Sequence, residues 1–200
     1  MVHPLFWLGQ ECGVAVLVIA GSGRGAGKTA VGCALIAALP ELRWVAVKVS
    51  PHLHRDEAAW EEPDPNSDKD TGRYLAAGAR RAFLISDSPD SETSILDALR
   101  LVPRSGSLLV ESNRIDGARL ARADEPVVSL SVLAGVESDW KASLWERFET
   151  TDVLVLTGGL ACEGLPVELQ VKPAFRLEDG RWFSPELIKF VRARLLPMGN

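Results

Sequence analysis

The nine residues Gly21-Ser22-Gly23-Arg24-Gly25-Ala26-Gly27-Lys28-Thr29 constrain this chain more than any other stretch, because they join a short apolar run to a helical pattern. Val14 to Ala20 is an unbroken apolar segment rich in valine and isoleucine, the pattern of a strand buried on both faces of a parallel sheet. Beyond the loop, Val31, Ala34, Leu35, Ala38 and Leu39 recur at helical spacing, and Pro40 ends the pattern. Strand, glycine loop and helix in that order predict a phosphate-binding loop.

Each residue type in the loop has a chemical reason. Glycine accepts positive φ, so the backbone can turn its N–H groups inward as a nest for phosphate oxygens beside a helix N-terminus of partial positive charge. Lys28 adds a point charge for the β- and γ-phosphates, and the Thr29 hydroxyl is a ligand for Mg²⁺. Gly23, Arg24, Gly25, Ala26, Gly27, Lys28, Thr29 and Ala30 are therefore the expected nucleotide-binding residues. The general pattern G-x-x-x-x-G-K-[ST] puts glycine at position 22, where this chain has Ser22 with Gly21 one step earlier.

Composition narrows the function classes. A length of 200 residues fits one domain over 1–200, and 46% apolar with 24% charged residues is ordinary for a folded globular chain. A net charge of −5 argues against a broad nucleic-acid surface, so positive potential has to be local, around Arg24 and Lys28. Cys12, Cys33 and Cys162 are far apart and form no C-x-x-C pair, which predicts reduced thiols, a cytoplasmic location and no disulfide or metal framework. The N-terminal apolar run is too short to cross a membrane, and Glu11 stands where a signal peptide carries positive charge, so no membrane partner is expected.

Further along, Trp44 to Val49 reads as a second buried strand, and the polar segment Pro51 to Asp70 shows no periodicity supporting helix or strand. Its acids from Asp56 onward read mostly as solvated surface, and His52 and His54 as exposed loop histidines. Helix is predicted over Thr71 to Ala79, Ser91 to Leu101 and near Asp139 to Phe148, with a last helix starting at Ser184-Pro185. Strand is predicted over Ala82 to Ile85, Ser107 to Glu111, Pro126 to Leu133 and Val153 to Leu156. This alternation predicts a three-layer α/β fold of the P-loop NTPase type, with a mostly parallel central sheet and helices on both faces. The six tryptophans are scattered and read as core or interface residues.

Open α/β sheets bind ligands outside the carboxyl ends of their strands, so polar residues ending buried strands matter most. Glu111 is one, placed to hold Mg²⁺ or to orient a water that does, the alternative being a surface acid at a loop start. Lys48 is another; inside an apolar strand it needs an anion, either a phosphate or substrate carboxylate or a neighbouring acid.

In this combination the chain resembles the MobB family of molybdopterin-guanine dinucleotide biosynthesis adaptors, in the P-loop class that includes dethiobiotin synthetase and cobyrinate-type amide ligases. The likeness starts at Ile19, passes through Lys48, His52 and His54, and reaches Lys69-Asp70-Thr71-Gly72-Arg73 with Tyr74 to Ala79. These are similar to the family's Lys-Asp-Ser, spaced Arg and Ala-Gly-Ala. Leu109-Val110-Glu111 is similar to its Val-Glu-Gly strand end, with Ser112 and Asn113 in place of the Gly and its neighbour.

The resemblance implies that Thr29, Asp70 and Glu111 surround Mg²⁺ and that Lys28, Lys48 and Glu111 do the catalytic work, the two lysines facing the phosphates. It also implies a GTP-binding, slowly hydrolysing accessory protein of molybdenum-cofactor maturation. Its partners would be a nucleoside triphosphate, a molybdenum-cofactor enzyme or maturation protein, and a second copy of the chain as a homodimer. The rival from the same class is an ATP-dependent ligase similar to dethiobiotin synthetase, with Lys48 holding a carboxylate or carbamate. No Asn-Lys-x-Asp signature fixes guanine, and Thr157-Gly158-Gly159 is the loop expected beside the base, so GTP and ATP both stay open.

Overall fold

The computed structural model describes residues 14–50, 58–86 and 92–196, the first three of the last segment by backbone only. Trp7, Cys12, His52 and His54 lie outside them. The strands are β1 (Val16–Gly21), β2 (Val45–Ser50), β3 (Ala59–Glu61), β4 (Arg81–Ser86), β5 (Leu108–Glu111), β6 (Val127–Leu133), β7 (Val153–Leu156) and β8 (Ala174–Arg176). The helices are α1 (Lys28–Ala38), α2 (Asp70–Ala76), α3 (Glu92–Arg100), α4 (Ala142–Trp145), α5 (Val167–Gln170) and α6 (Pro185–Leu195).

The strands form one sheet in the order β3-β4-β2-β5-β1-β6-β7-β8, parallel throughout except for the antiparallel β3–β4 pair at one edge. The alternation of side chains along each strand divides the core between the two faces. From β1, Leu17 and Ile19 pack with Val31 and Leu35 of α1 and with Leu187 and Val191 of α6. Val16 and Val18 point the other way, into a cluster with Ile95 and Leu99 of α3. On that second face Ala20, Leu154 and Leu156 meet Trp140, Leu144 of α4 and Leu169 of α5. Both faces are thus covered by helices, and the predicted three-layer α/β fold is the observed one. None of the described helices is long and apolar enough to cross a membrane.

Two expectations need correction. The segment 51–70 contains a strand after all: β3 is too short for an alternation signal, and its pairing with β4 sets it (Trp60 opposite Leu84). Of its described acids, Glu61, Asp64 and Asp68 are exposed, in line with the mostly solvated surface expected, while Glu62 is an exception, buried and accepting a hydrogen bond from Thr71 Oγ1 at 3.0 Å. The region Asp139 to Phe148 is no continuous helix but a 3₁₀ turn (Glu137–Asp139) followed by the single turn of α4. Its apolar residues Trp140, Leu144 and Phe148 are buried at the predicted spacing, so the burial pattern survives while the helix is interrupted. The short edge strand β8 had no pattern of its own and is fixed by pairing to β7.

Candidate functional site

The site is assembled at the carboxyl ends of the central strands, starting with the loop between β1 and α1. Gly25 and Gly27 take left-handed φ of 80° and 98°, the conformation an inward-turned backbone requires. At Gly21 a Cβ would come within 2.7 Å of the Lys28 Cγ and 2.8 Å of the Val132 carbonyl, so the glycine lets the loop fold tightly on itself. No side chain caps α1 at Gly27, which leaves the first turn's N–H groups to a ligand.

The two departures from the expected patterns are clamps on this loop. Ser22, standing where glycine was expected, accepts from the Ala134 N–H (3.0 Å) and donates to the Ala134 carbonyl (3.1 Å), tying the loop to the end of β6. Asn113, just after β5, grips both backbone groups of Gly21: its Oδ1 accepts from the N–H at 2.9 Å and its Nδ2 donates to the carbonyl at 2.8 Å. Thr157 of the expected base-side loop reaches the Ala26 carbonyl at 3.0 Å, a third tether, from the end of β7.

Glu111 is the hub of the polar centre and is 2% exposed, which excludes the surface-acid alternative. The parallel register sets Lys48 of β2 directly beside Glu111 of β5. Lys48 Nζ donates to Glu111 Oε1, Thr29 Oγ1 donates to Oε2 at 2.8 Å, and the Tyr74 hydroxyl donates to the same Oε2. Lys48 also pairs with Asp70 at 2.9 Å, so of its two possible partners the neighbouring acids hold it here. Asp70 and Tyr74 stand four apart on α2 and so share one helix face, which points at the hub.

Protonation follows from these contacts. Burial by itself would lower the Lys48 pKa, but Glu111 and Asp70 outweigh it and raise the ammonium above its ordinary range. Burial of Asp70 is likewise overcome by the Lys48 contact and by Thr29, leaving its carboxyl below the usual value. Burial and then the Glu111 charge push the Tyr74 hydroxyl well above its ordinary range, so it stays a donor. Lys28 goes the other way: burial lowers it, Glu111 only partly compensates, and Lys48 and Lys141 repel it. Its Nζ rests on the Gly23 carbonyl at 2.6 Å, a neutral acceptor. The loop lysine therefore lacks a full counter-charge, which a phosphate would supply.

Two adjoining cavities open on these groups. One of about 410 Å³ is lined by the loop from Arg24 to Ala30 together with Asp70, Arg73 and Trp182. The other, about 350 Å³, has Arg24, Lys28, Lys48, Arg114 and Lys141 around the two carboxylates Asp70 and Glu111. A chain of net charge −5 thus concentrates positive charge in one place, as the loop sequence suggested. A separate cavity of about 250 Å³ lies near Leu108 at the amino end of β5, the wrong end of the sheet for a ligand of this fold.

The residues expected to do the catalytic work and to hold the metal converge here: Lys28 and Thr29 from α1, Lys48 from β2, Asp70 from α2, Glu111 from β5. Sequence reasoning did not assign Tyr74, Asn113, Lys141 or Trp182. Tyr74 looked like an ordinary helix residue and Asn113 like a departure beside a missing glycine, while Lys141 and Trp182 arrive from distant loops that no motif marks.

The residues fit Mg²⁺. A threonine hydroxyl and two carboxylates are hard oxygen donors of the kind this ion takes, and the Lys48 ammonium bridges the two carboxylates. Among the described residues no group of three or more histidine, cysteine or acidic side chains is placed to hold a metal ion by itself.

Parallel sheet, glycine loop, Lys28-Thr29 and an acid ending the neighbouring strand define a P-loop nucleotide-binding fold. No protein-family model and no curated protein matches the chain. Among solved structures it is similar to Bacillus subtilis MobB, with a TM-score of 0.45 and 17% identity over 92% of this chain and 99% of that one. A MobB homolog from Bacillus stearothermophilus gives a TM-score of 0.42 and 21% identity over 90% and 99%. LpxK from Aquifex aeolicus, solved in complex with ATP, gives 0.46 and 19% identity over 82% of this chain but only 53% of its own length. The fold stands on strand order and loop conformation, independently of these similarities.

Proposed function

We propose that the protein binds a magnesium nucleoside triphosphate and acts as a GTP-binding, slowly hydrolysing accessory protein of molybdenum-cofactor maturation. The observation that carries nucleotide binding is the left-handed glycine loop with a buried, under-compensated Lys28 at its end. The molybdenum-cofactor role rests on the sequence resemblance to the MobB family and would bring with it a client enzyme or maturation protein and a homodimer. Lys28 and the loop amides would bind the phosphates, and Thr29, Asp70 and Glu111 would hold Mg²⁺, which neutralises phosphate charge when bound. Slow turnover is supported by the pairing of both acids: Glu111 accepts from Thr29, Tyr74 and Lys48, and Asp70 from Lys48, so neither is a free base for a water. The nucleotide state would then be the output.

A second reading is favoured by one feature, the cationic cavity beyond Lys28, where Lys141 and Arg114 face the space next to the phosphates. A small carboxylate there would suit an ATP-dependent ligase. Calorimetric titration with GTP and ATP, each with Mg²⁺, decides between them. The accessory role predicts tighter GTP binding and slow phosphate release that no small carboxylate accelerates. Tighter ATP binding with carboxylate-stimulated release would overturn it.

A further inference from the structure

We infer that Trp182 is the stacking wall of a nucleobase subsite on the flank of the phosphate loop. The inference rests on the proposed nucleotide binding and adds the place of the base. The six-membered ring of the indole lies against Gly27: a Cβ built there would sit 2.3 Å from Cζ3 and 3.0 Å from Cε3.

Core packing does not account for this residue. Trp44 and Trp140 are 1% and 6% exposed, whereas Trp182 keeps 38% of its surface accessible and is followed by Phe183 at 50%. Large exposed aromatics carry a hydration cost that a stacked base would remove. The segment bearing it is nevertheless held at both ends. Leu177 is buried and donates its N–H to the Leu156 carbonyl at 2.8 Å, while Ser184 Oγ caps α6 by accepting from Leu187 N–H at 3.1 Å. A turn closed by Arg181 N–H to the Glu178 carbonyl at 2.9 Å leads into the tryptophan.

Position in the sheet agrees with this role. The segment leaves the carboxyl end of β8, next to β7 and its Thr157-Gly158-Gly159 loop, at the edge where open α/β sheets take their ligands. Thr157 is spent on the Ala26 and Leu133 carbonyls, so the base-side loop predicted from sequence serves as a tether and the neighbouring segment supplies the aromatic surface. Stacking accepts any base, because every base has a π face, so Trp182 fixes where the base lies and not which base it is.

The test compares wild type, Trp182→Ala and Trp182→Phe by calorimetry with magnesium GTP, magnesium ATP and inorganic tripolyphosphate. Removing the indole is expected to weaken both nucleotides about 5- to 100-fold, the range for one stacked base. Trp182→Phe stays within about fivefold of wild type, as a smaller π face allows. Tripolyphosphate, having no base, binds all three proteins alike and shows that the variants are folded. Nucleotide, but not tripolyphosphate, also changes the tryptophan emission of wild type, and Trp182→Phe loses that change. Equal weakening of nucleotide and tripolyphosphate, or no weakening of either, overturns the subsite while leaving the phosphate loop standing. A wild-type protein that binds neither ligand overturns both.

Discussion

Glu111→Ala is expected to lower the unfolding free energy by about 3 kcal/mol, in the lower part of the range for removing one partner of a buried ion pair. The carboxylate is 2% exposed and is the shared acceptor of Thr29, Tyr74 and Lys48. Without it the fully buried Tyr74 hydroxyl loses the partner found here, and Lys48 keeps only Asp70. That remaining pair, together with the partial exposure of the Lys48 side chain, keeps the loss out of the upper part of the range. Glu111→Gln retains an oxygen acceptor but no charge, so it should cost less stability while still reducing the Mg²⁺ dependence of nucleotide binding. Urea unfolding of both variants checks this. A Glu111→Ala midpoint equal to wild type would show that the hub is not holding the centre together.

Lys28→Ala should act with opposite signs on stability and on binding. The ammonium is buried, only partly compensated by Glu111, repelled by Lys48 and Lys141, and rests on a carbonyl, so its removal should leave stability unchanged or slightly raised. Nucleotide affinity should fall about 10- to 100-fold, the loss of a charge-assisted contact of roughly 1.5–3 kcal/mol. Unfolding curves and titration of the same protein samples read both effects. An affinity within about twofold of wild type would remove the lysine from the phosphate site, because so small a change is less than one such contact. A functional residue that is costly to the resting fold is the usual trade between activity and stability.

Much of this was legible in the chain because the signals were local. The apolar run of β1, the glycine loop and the period of α1 lie within one continuous stretch, and the strand ends at Lys48 and Glu111 each close an apolar run. What was not legible depended on pairing across the sheet. Register alone brings Lys48 beside Glu111, and no window of sequence around either residue contains that fact. The edge strands β3 and β8 are three residues each, too short to carry a period, and exist because a neighbour offers its hydrogen bonds.

Asn113 teaches a related lesson. Judged against a family pattern it was a departure next to a lost glycine, but its side chain bonds both backbone groups of Gly21, 92 positions away, and steadies the loop that Ser22 also anchors. Trp182 is similar: composition marked six tryptophans for core or interface, and only the fold sets this one against Gly27.

The most direct measurement of the central claim is an amide NMR titration of the full chain with magnesium GTP and magnesium ATP. Capture of the phosphate tail by the loop predicts saturable shifts that are largest at the N–H groups of Gly23 to Ala30. Saturable binding that leaves those amides no more perturbed than the rest of the backbone would contradict it.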